Sequence, residues 1–572
     1  MSHAQTAFQY AVDVINGDIP ASQNTVLACQ RHKDDLFRTD WNWRFDESLA
    51  NRACRFIELL PHIKGLAARQ KLNITLEPWQ CFIVCSLFGW VDRDTQLRRF
   101  NEAIIYVARK NGKSTLVSAI ALYMLAADNE EGAEVYAAAQ DREQARIVFN
   151  DAQRMAQKAK GLSEAMGVET SAHSVHVFQT NSRFKALSRE QGGNLDGLNA
   201  HCAILDELHS HKTADMYNVL ESSMGAREQP LLISISTAGF NLSGIGYQKY
   251  DYAIKVTNGA VENERIFCML FGVDDDDLKD TERLLNDPDV WKKANPNWGV
   301  SVKPDFMESQ ALKARTDIQS RNNFLTKHLN AWTNTETAWC DMQALADCVD
   351  KEITLADFEG EVAFKGCDLA SKDDFACDVL LFPKMIDGVT HLYAFAKHYL
   401  PEETVEETSN ASYRGWAEQG HIILTDGNII DYDEITEGYL QDKSRFKLRE
   451  CGFDPYNANQ FTTNLISKGL KMVEVPQNVR HLSEPMKELN ALIKSGRFHY
   501  DGDPVLTWMF SNVSYQEDKN ENIFPRKARG QKANKIDGVV ALLIALNRYM
   551  NGRQESTSID RVIRNGFMEI EL

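Results

Sequence analysis

Between residues 76 and 330, short unbroken apolar runs alternate with longer segments whose apolar residues recur at helical spacing. The runs "EAIIYVA", "AEVYAAA", "HCAILD" and "PLLISIST" predict buried strands. "STLVSAIALYMLAA" and "DREQARIVFNDAQRMAQKA" predict helices. That alternation implies βαβ units around a parallel sheet. Upstream, residues 1–75 carry helical periodicity, as in "SLANRACRFIELLPHIKG", and predict an N-terminal helical or lid region. The pattern lapses around "NAWTNTETAWCD", which predicts an interdomain linker over 331–355. A second α/β domain is predicted over 356–551. Its strands are expected in "EVAFKGCDLA", "CDVLLFPKMIDGVTHLYAFAKHYL" and "FKLRECGFDPYNA", and its helices in "NQFTTNLISKGL" and "KIDGVVALLIALNRYM". Residues 552–572 are polar and predict a flexible tail.

Composition narrows the class. With 572 residues, 43% hydrophobic and 25% charged, the chain reads as a soluble globular protein of several domains. No apolar run approaches the roughly 20 residues of a membrane span. "MSHAQTAFQY" lacks the basic start and apolar core of a signal peptide, so a cytosolic location is expected. Eleven cysteines are scattered without zinc-ligand spacing. The pair Cys81 and Cys85, in an apolar segment, reads as buried thiols. A net charge of −18 argues against a surface that coats nucleic acid throughout. Local contact remains open, because "FPRKARGQKANK" is strongly basic.

The stretch "VARKNGKST", Val107 to Thr115, matches the second half of a phosphate-binding loop in Gly112, Lys113 and Ser114. Val107 stands where the first glycine belongs, and Arg109, Lys110 and Asn111 fill the loop. A predicted strand precedes it and a predicted helix follows. Phosphate binding needs that order, because backbone N–H groups and a helix N-terminus then meet the anion. Lys113 would reach the β- and γ-phosphates of ATP, and Ser114 would ligate Mg²⁺. "HCAILDELH" supplies the acids: Asp206 for the metal shell and Glu207 to deprotonate water. The strand of "ISISTAG" ends in small hydroxyl residues placed to sense the γ-phosphate. In "LEPWQ", Trp79 and Gln80 either contact adenine or serve packing.

Further along, Asp368 follows "VAFKGC", Asp454 follows "LRECGF", and Asp537 opens an apolar helix. Carboxylates at two strand ends and a helix start can converge on a pair of Mg²⁺ or Mn²⁺ ions that cleave a phosphodiester. Singly, each is as readily a turn or capping residue. The basic run Arg526, Lys527, Arg529, Lys532 and Lys535 just before Asp537 favours a nuclease, since these side chains would hold a phosphate backbone.

Together "LEPWQ", "ARKNGKS", "DREQAR", "LDGLNAHCAILDELH", "STAG", "GCDLASKDD", "CGFDPYNA" and "KIDGVVALLIAL" resemble the large terminase subunit of tailed bacteriophages, over most of the chain. The resemblance implies an ASCE-type P-loop ATPase followed by a ribonuclease H-like nuclease. It implies ATP-driven packaging of double-stranded DNA through a portal, cutting of concatemers, a small terminase subunit as partner and a ring of copies on the procapsid. It places ATP and Mg²⁺ at Lys113, Ser114, Thr115, Asp206 and Glu207, coupling at Ser236 and Thr237, and two nuclease metals at Asp368, Asp454 and Asp537. Arg109 is then either a γ-phosphate contact or a neighbouring-subunit contact. Arg142 and Arg146 are either arginine fingers or exposed helix charges. The implied setting is the host cytoplasm, outside the mature virion. The alternative is a helicase or translocase with an attached nuclease, acting in repair or restriction.

Overall fold

The computed structural model describes residues 1–188, 197–211, 213–242, 244–333, 339–369, 374–408, 410–456, 458–527 and 534–568. The chain divides into two compact units, Met1–Thr333 and Asn334–Leu572.

In the first unit, helices His3–Asn16, Gln23–Phe37 and Glu47–Glu58 surround the helix Pro78–Gly89. That last helix, "PWQCFIVCSLFG", is apolar all round, so it is stable only when enclosed. Beside it β1 (Trp43–Phe45) and β2 (Trp90–Asp92) pair antiparallel. The main sheet holds β3 (Glu102–Tyr106), β4 (Glu134–Ala139), β5 (Val168–Ser171), β6 (Ser174–Val177), β7 (Ser182–Ser188), β8 (Ala200–Asp206), β9 (Leu231–Ser236) and β10 (Ile266–Leu270). Its order is β10-β3-β9-β8-β4-β7-β6-β5, parallel up to β7 and antiparallel over β7-β6-β5. β8 and β9 are buried at every position, as expected of central parallel strands covered on both faces.

After β10 the βα alternation read from the sequence gives way to helices, from Asp275–Lys279 to Ile318–His328, packed around Trp291, Met307 and Phe324. Their starts are written locally. Asp287 and Asp317 accept hydrogen bonds from N-terminal amides, and Pro288 and Pro304 occupy first-turn positions.

The second unit is built on β11 (Val362–Asp368), β12 (Ala376–Ile386), β13 (Val389–Pro401), β14 (Ile423–Thr425), β15 (Lys447–Phe453), β16 (Met472–Glu474) and β17 (Phe498–Tyr500). The order is β14-β13-β12-β11-β15-β16, with β17 also on β13. β11, β12 and β13 are antiparallel neighbours, and β15 and β16 then run parallel to β11. This is the ribonuclease H-like arrangement. Asp387 and Gly388, at φ +49° and +78°, close the β12–β13 hairpin in a turn that matches strand twist. β18 (Val513–Glu517) and β19 (Ile523–Lys527) form a separate pair.

One long helix, Asp537–Met568, covers β11, β12 and β15. Two glycines set how closely it lies. A Cβ on Gly366 would stand 2.2 Å from the Ala541 carbonyl oxygen, and one on Gly452 would stand 2.7 Å from Ile544 Cγ2. The helix continues past Gly552, where the sequence reading begins a tail. Residues read as linker also join this unit's core: Trp339 stacks 6.1 Å from Phe510, and Leu345 and Cys348 are buried. All eleven cysteines are buried and free. Among the described residues no helix is long and apolar enough to cross a membrane.

Candidate active sites

The strand order explains the first site. β9 lies between β3 and β8 and runs parallel to both, so the loop after β3, the acids ending β8 and the hydroxyl residues ending β9 lie together at the strands' C-terminal ends. Val107, in place of the usual glycine, is fully buried, and its amide donates to the Ser236 carbonyl at 3.1 Å. The loop therefore turns later. Lys110 and Gly112 take φ of +73° and +78°, and the helix Lys113–Ala126 starts directly after Gly112. Lys113 is 7% exposed; its Nζ donates to the Val107 carbonyl at 3.2 Å and lies 4.0 Å from Glu207 Oε1. Ser114 and Thr115 are half-buried on the first turn.

Asp206 is buried at the end of β8, and burial together with the adjacent Glu207 pushes its carboxyl up to about 6. Burial likewise holds Lys113 below the usual lysine range, against the pull of Glu207 and Asp206. Two carboxylates facing one buried lysine suit a hard divalent cation on oxygen ligands. Glu207 is held at φ +52°, where non-glycine residues are uncommon and strain is on the order of 1–3 kcal/mol. Its amide donates to Asp206 Oδ1 at 2.9 Å and to the Ile235 carbonyl at 3.0 Å.

Ser236 and Thr237 are reached through a residue the sequence reading passed over. His209 Nδ1 lies 3.2 Å from Glu207 Oε2, 3.0 Å from Ser236 Oγ and 3.4 Å from Thr237 Oγ1. Burial pushes the imidazole down to about 4, so it is neutral at physiological pH. Gly239 and Gly246 make room for it: a Cβ on either would stand within 2.8 Å of His209 atoms. The only signal in the sequence is its place two residues after the acid pair, in "DELH".

Asn111 faces inward rather than toward a ligand. Its Nδ2 donates to the Ala108 carbonyl at 3.0 Å and to Asn295 Oδ1 at 2.9 Å, while its Oδ1 accepts the Asn297 amide at 3.0 Å. Trp79 is 2% exposed, and its indole N–H donates to Asn297 Oδ1 at 2.6 Å. Gln80 is buried and its Oε1 accepts the Glu77 amide as part of a helix cap. Stacking of Trp79 on adenine does not fit this burial; the packing alternative does. Arg109 and Lys110 are exposed, and the Arg109 amide donates to the Lys327 carbonyl at 2.9 Å. Arg146 is half-buried on the helix Arg142–Lys158, and the Arg142 side chain lies outside the described residues.

The second site grows from the two glycines under the long helix. Side chains two apart on a strand share a face. Asp368 therefore points to the helix side, as Gly366 does, and Asp454 follows two residues after Gly452. β11 and β15 are parallel neighbours with Cys367 paired to Phe453, so both acids leave at adjacent strand ends. Asp537 opens the helix above them. Burial, then Asp537 and Asp454, push the Asp368 carboxyl well above its usual range. Burial raises Asp454 and Asp537 as well. Asp368 Oδ1 accepts from Gln477 Nε2 at 2.7 Å, a partner the sequence reading missed. Asp537 Oδ2 is buried and, among the described residues, has no hydrogen-bond partner. Among the described residues no three His, Cys, Asp or Glu side chains are drawn into a closed ligand cage. Raised acids and an orphaned carboxylate oxygen nonetheless fit divalent cations.

The basic run divides. Lys527 Nζ lies 2.9 Å from Asp374 Oδ1 and 3.8 Å from Asp537 Oδ1, and Lys535 is buried against the same Asp374 oxygen. Burial pushes the Asp374 carboxyl up, and the hydrogen bonds from Lys535 and Lys527 outweigh it, leaving a net lowering. Arg526 is exposed. Arg529 and Lys532 lie outside the described residues.

Residues 78–255 match the family described as "Terminase large subunit, ATPase domain", and residues 268–553 match "Terminase large subunit, endonuclease domain". Protein YmfN of Escherichia coli K12 is 37% identical over 391 residues, covering 67% of this chain and 84% of that protein. The large terminase subunit of Enterobacteria phage HK97 is 28% identical over 454 residues, covering 78% and 86%. Its crystal structure aligns over 87% of this chain and 99% of that one, at 26% identity and a TM-score of 0.43. The chain belongs to the terminase large subunit family, the ATPases and endonucleases that package phage DNA.

Proposed function

We propose that the loop Arg109–Thr115 binds the phosphates of ATP, with Lys113 on the β- and γ-phosphates, Ser114 and Asp206 holding Mg²⁺, and Glu207 orienting and deprotonating the attacking water. His209 links Glu207 to Ser236 and Thr237 and so ties the acid to the coupling strand. Arg109, exposed on the loop, contacts the γ-phosphate, and Arg142 or Arg146 of a neighbouring copy supplies the finger. In the nuclease, Asp368, Asp454 and Asp537 hold two Mg²⁺ or Mn²⁺ ions. Bound divalent cations supply charge neutralisation and a polarised phosphodiester. Lys527 and Lys535 are grouped by Asp374 beside them, where they meet the DNA backbone together with Arg526, Arg529 and Lys532. In the infected host cytoplasm a ring of copies docks on the portal of a procapsid, with a small terminase subunit delivering double-stranded DNA; the ring is absent from the mature virion.

The observation that carries this reading is the convergence of Lys113, Asp206, Glu207 and the β9 hydroxyls at the C-terminal ends of neighbouring parallel strands. Its test is Lys113→Ala in the full chain. ATP hydrolysis should fall by about a hundredfold or more, while metal-dependent DNA cleavage persists. Loss of both activities in a folded variant would defeat the two-site assignment.

A further inference from the structure

A row of chemistry-bearing side chains crosses the nuclease sheet. Asp368 pairs with Cys377 across β11 and β12, and Cys377 pairs with His398 across β12 and β13. Directly opposed residues share a sheet face. Asp368, Cys377 and His398 therefore stand in line on the side covered by the long helix, with Asp454 at the adjoining strand end. His398 is fully buried with both ring nitrogens engaged. Its Nδ1 is 3.3 Å from Cys377 Sγ and its Nε2 is 3.0 Å from Asp503 Oδ1. Asp503 is itself fixed: it accepts the Leu506 amide at 2.7 Å as the cap of the helix Pro504–Asn512, and its other oxygen lies 3.0 Å from His421 Nδ1. A Cys–His–Asp trio would suggest a nucleophile, but Cys377 is 1% exposed and packed in the core.

What this trio does touch is the mount of Asp537. The next residue, Gly538, donates its amide to Met509 Sδ at 3.0 Å, on the helix that Asp503 caps. A Cβ on Gly538 would stand 3.0 Å from His398 Cε1 and 3.0 Å from Met509 Sδ. The start of the long helix is thus seated on the imidazole and the thioether, one residue from a carboxylate of the cluster. We propose that His398 is a positioning residue of the nuclease metal site. Through Cys377, the cross-strand neighbour of Asp368, it ties the sheet to the helix start carrying Asp537, so that the two carboxylates stay at a fixed separation for a divalent cation. This rests on the reading that Asp368, Asp454 and Asp537 hold the metal. Residues that orient ligands without touching the metal commonly contribute about 10–100-fold in metal affinity.

The test uses the full chain without nucleotide, with Mn²⁺ binding read by calorimetry and by the metal-induced rise in melting temperature. His398→Ala and Gly538→Ala are compared with Asp368→Asn. Alanine is the better helix former, so Gly538→Ala should fold and isolates the displacement from any general loss of packing. Both variants should bind Mn²⁺ about tenfold more weakly or worse, with ATP hydrolysis intact. If Asp368→Asn abolishes Mn²⁺ binding while Gly538→Ala and His398→Ala bind as the parent does, His398 is a core histidine only. Should His398→Ala fail to fold, parental affinity in Gly538→Ala alone overturns the proposal. Retained Mn²⁺ binding in Asp368→Asn would instead remove the carboxylate reading beneath it.

Discussion

The backbone of Glu207 carries a left-handed conformation with its amide on Asp206 and its carboxylate against His209. Such strain persists only where neighbours over-determine it. Glu207→Gln keeps the shape and removes the base. ATP turnover should fall by about 10²–10⁴-fold while nucleotide affinity is retained, as an equilibrium binding assay beside a phosphate-release assay would show. Turnover at the parental rate would give the role of base to another group. At this scale the sequence was most legible where chemistry is written as a contiguous string, as in "NGKST" and "AILDE". It was silent where partners come from distant segments. Asn295 and Asn297 reach Asn111 from more than a hundred residues away, and Gln477 reaches Asp368 from a loop with no motif. Trp79 and Gln80 stayed open between two roles for the opposite reason. Their side chains are those of a base-binding pair, and only the burial of their helix turns them inward.

Among elements, the long helix governs the nuclease. Gly366→Ala places a methyl group against the helix backbone, where no flexible side chain is available to yield. Overpacking of this kind costs about 1–3 kcal/mol, and backbone contact argues for the upper end. Urea unfolding of the full chain should show the transition of Asn334–Leu572 shifted and that of Met1–Thr333 unchanged; coincident shifts of both would contradict separate cores. Strands were the most legible elements because the buried parallel ones are unbroken apolar runs, which is how β8 and β9 appear in the sequence. The helices after β10 were missed because their segments are polar on the whole, with starts marked by caps and prolines instead of a strong apolar face. Residues 339–348 read as linker because their few apolar side chains are spaced without a period, although Trp339, Leu345 and Cys348 are buried.

For the whole molecule, a net charge of −18 confines DNA contact to local positive sites. Two of the expected lysines share their charge with Asp374, so exposed Arg526 is the described residue whose contact with phosphate is simplest to isolate by salt. Arg526→Ala should lower the slope of log affinity against log salt by about 0.9, one phosphate contact, in a fluorescence titration with duplex DNA. An unchanged slope would take Arg526 out of the DNA path. The two family matches fall on the two chemistries that the sequence strings announced, and they set aside the repair or restriction alternative.

The glycines beneath the long helix carry one more implication, for genetics. Both aspartates on the strands stand two residues after a glycine that fits against the helix, in "KGCD" and "CGFD". A random screen for phage that fill heads but cannot cut would return Gly366 and Gly452 alongside Asp368 and Asp454. With Asp537 counted beside them, two of these five positions would be ones that never meet DNA, metal or water. Reversion would separate the two classes: suppressors that trim Ile544 could restore a substituted Gly452, and no second-site change could replace a lost carboxylate.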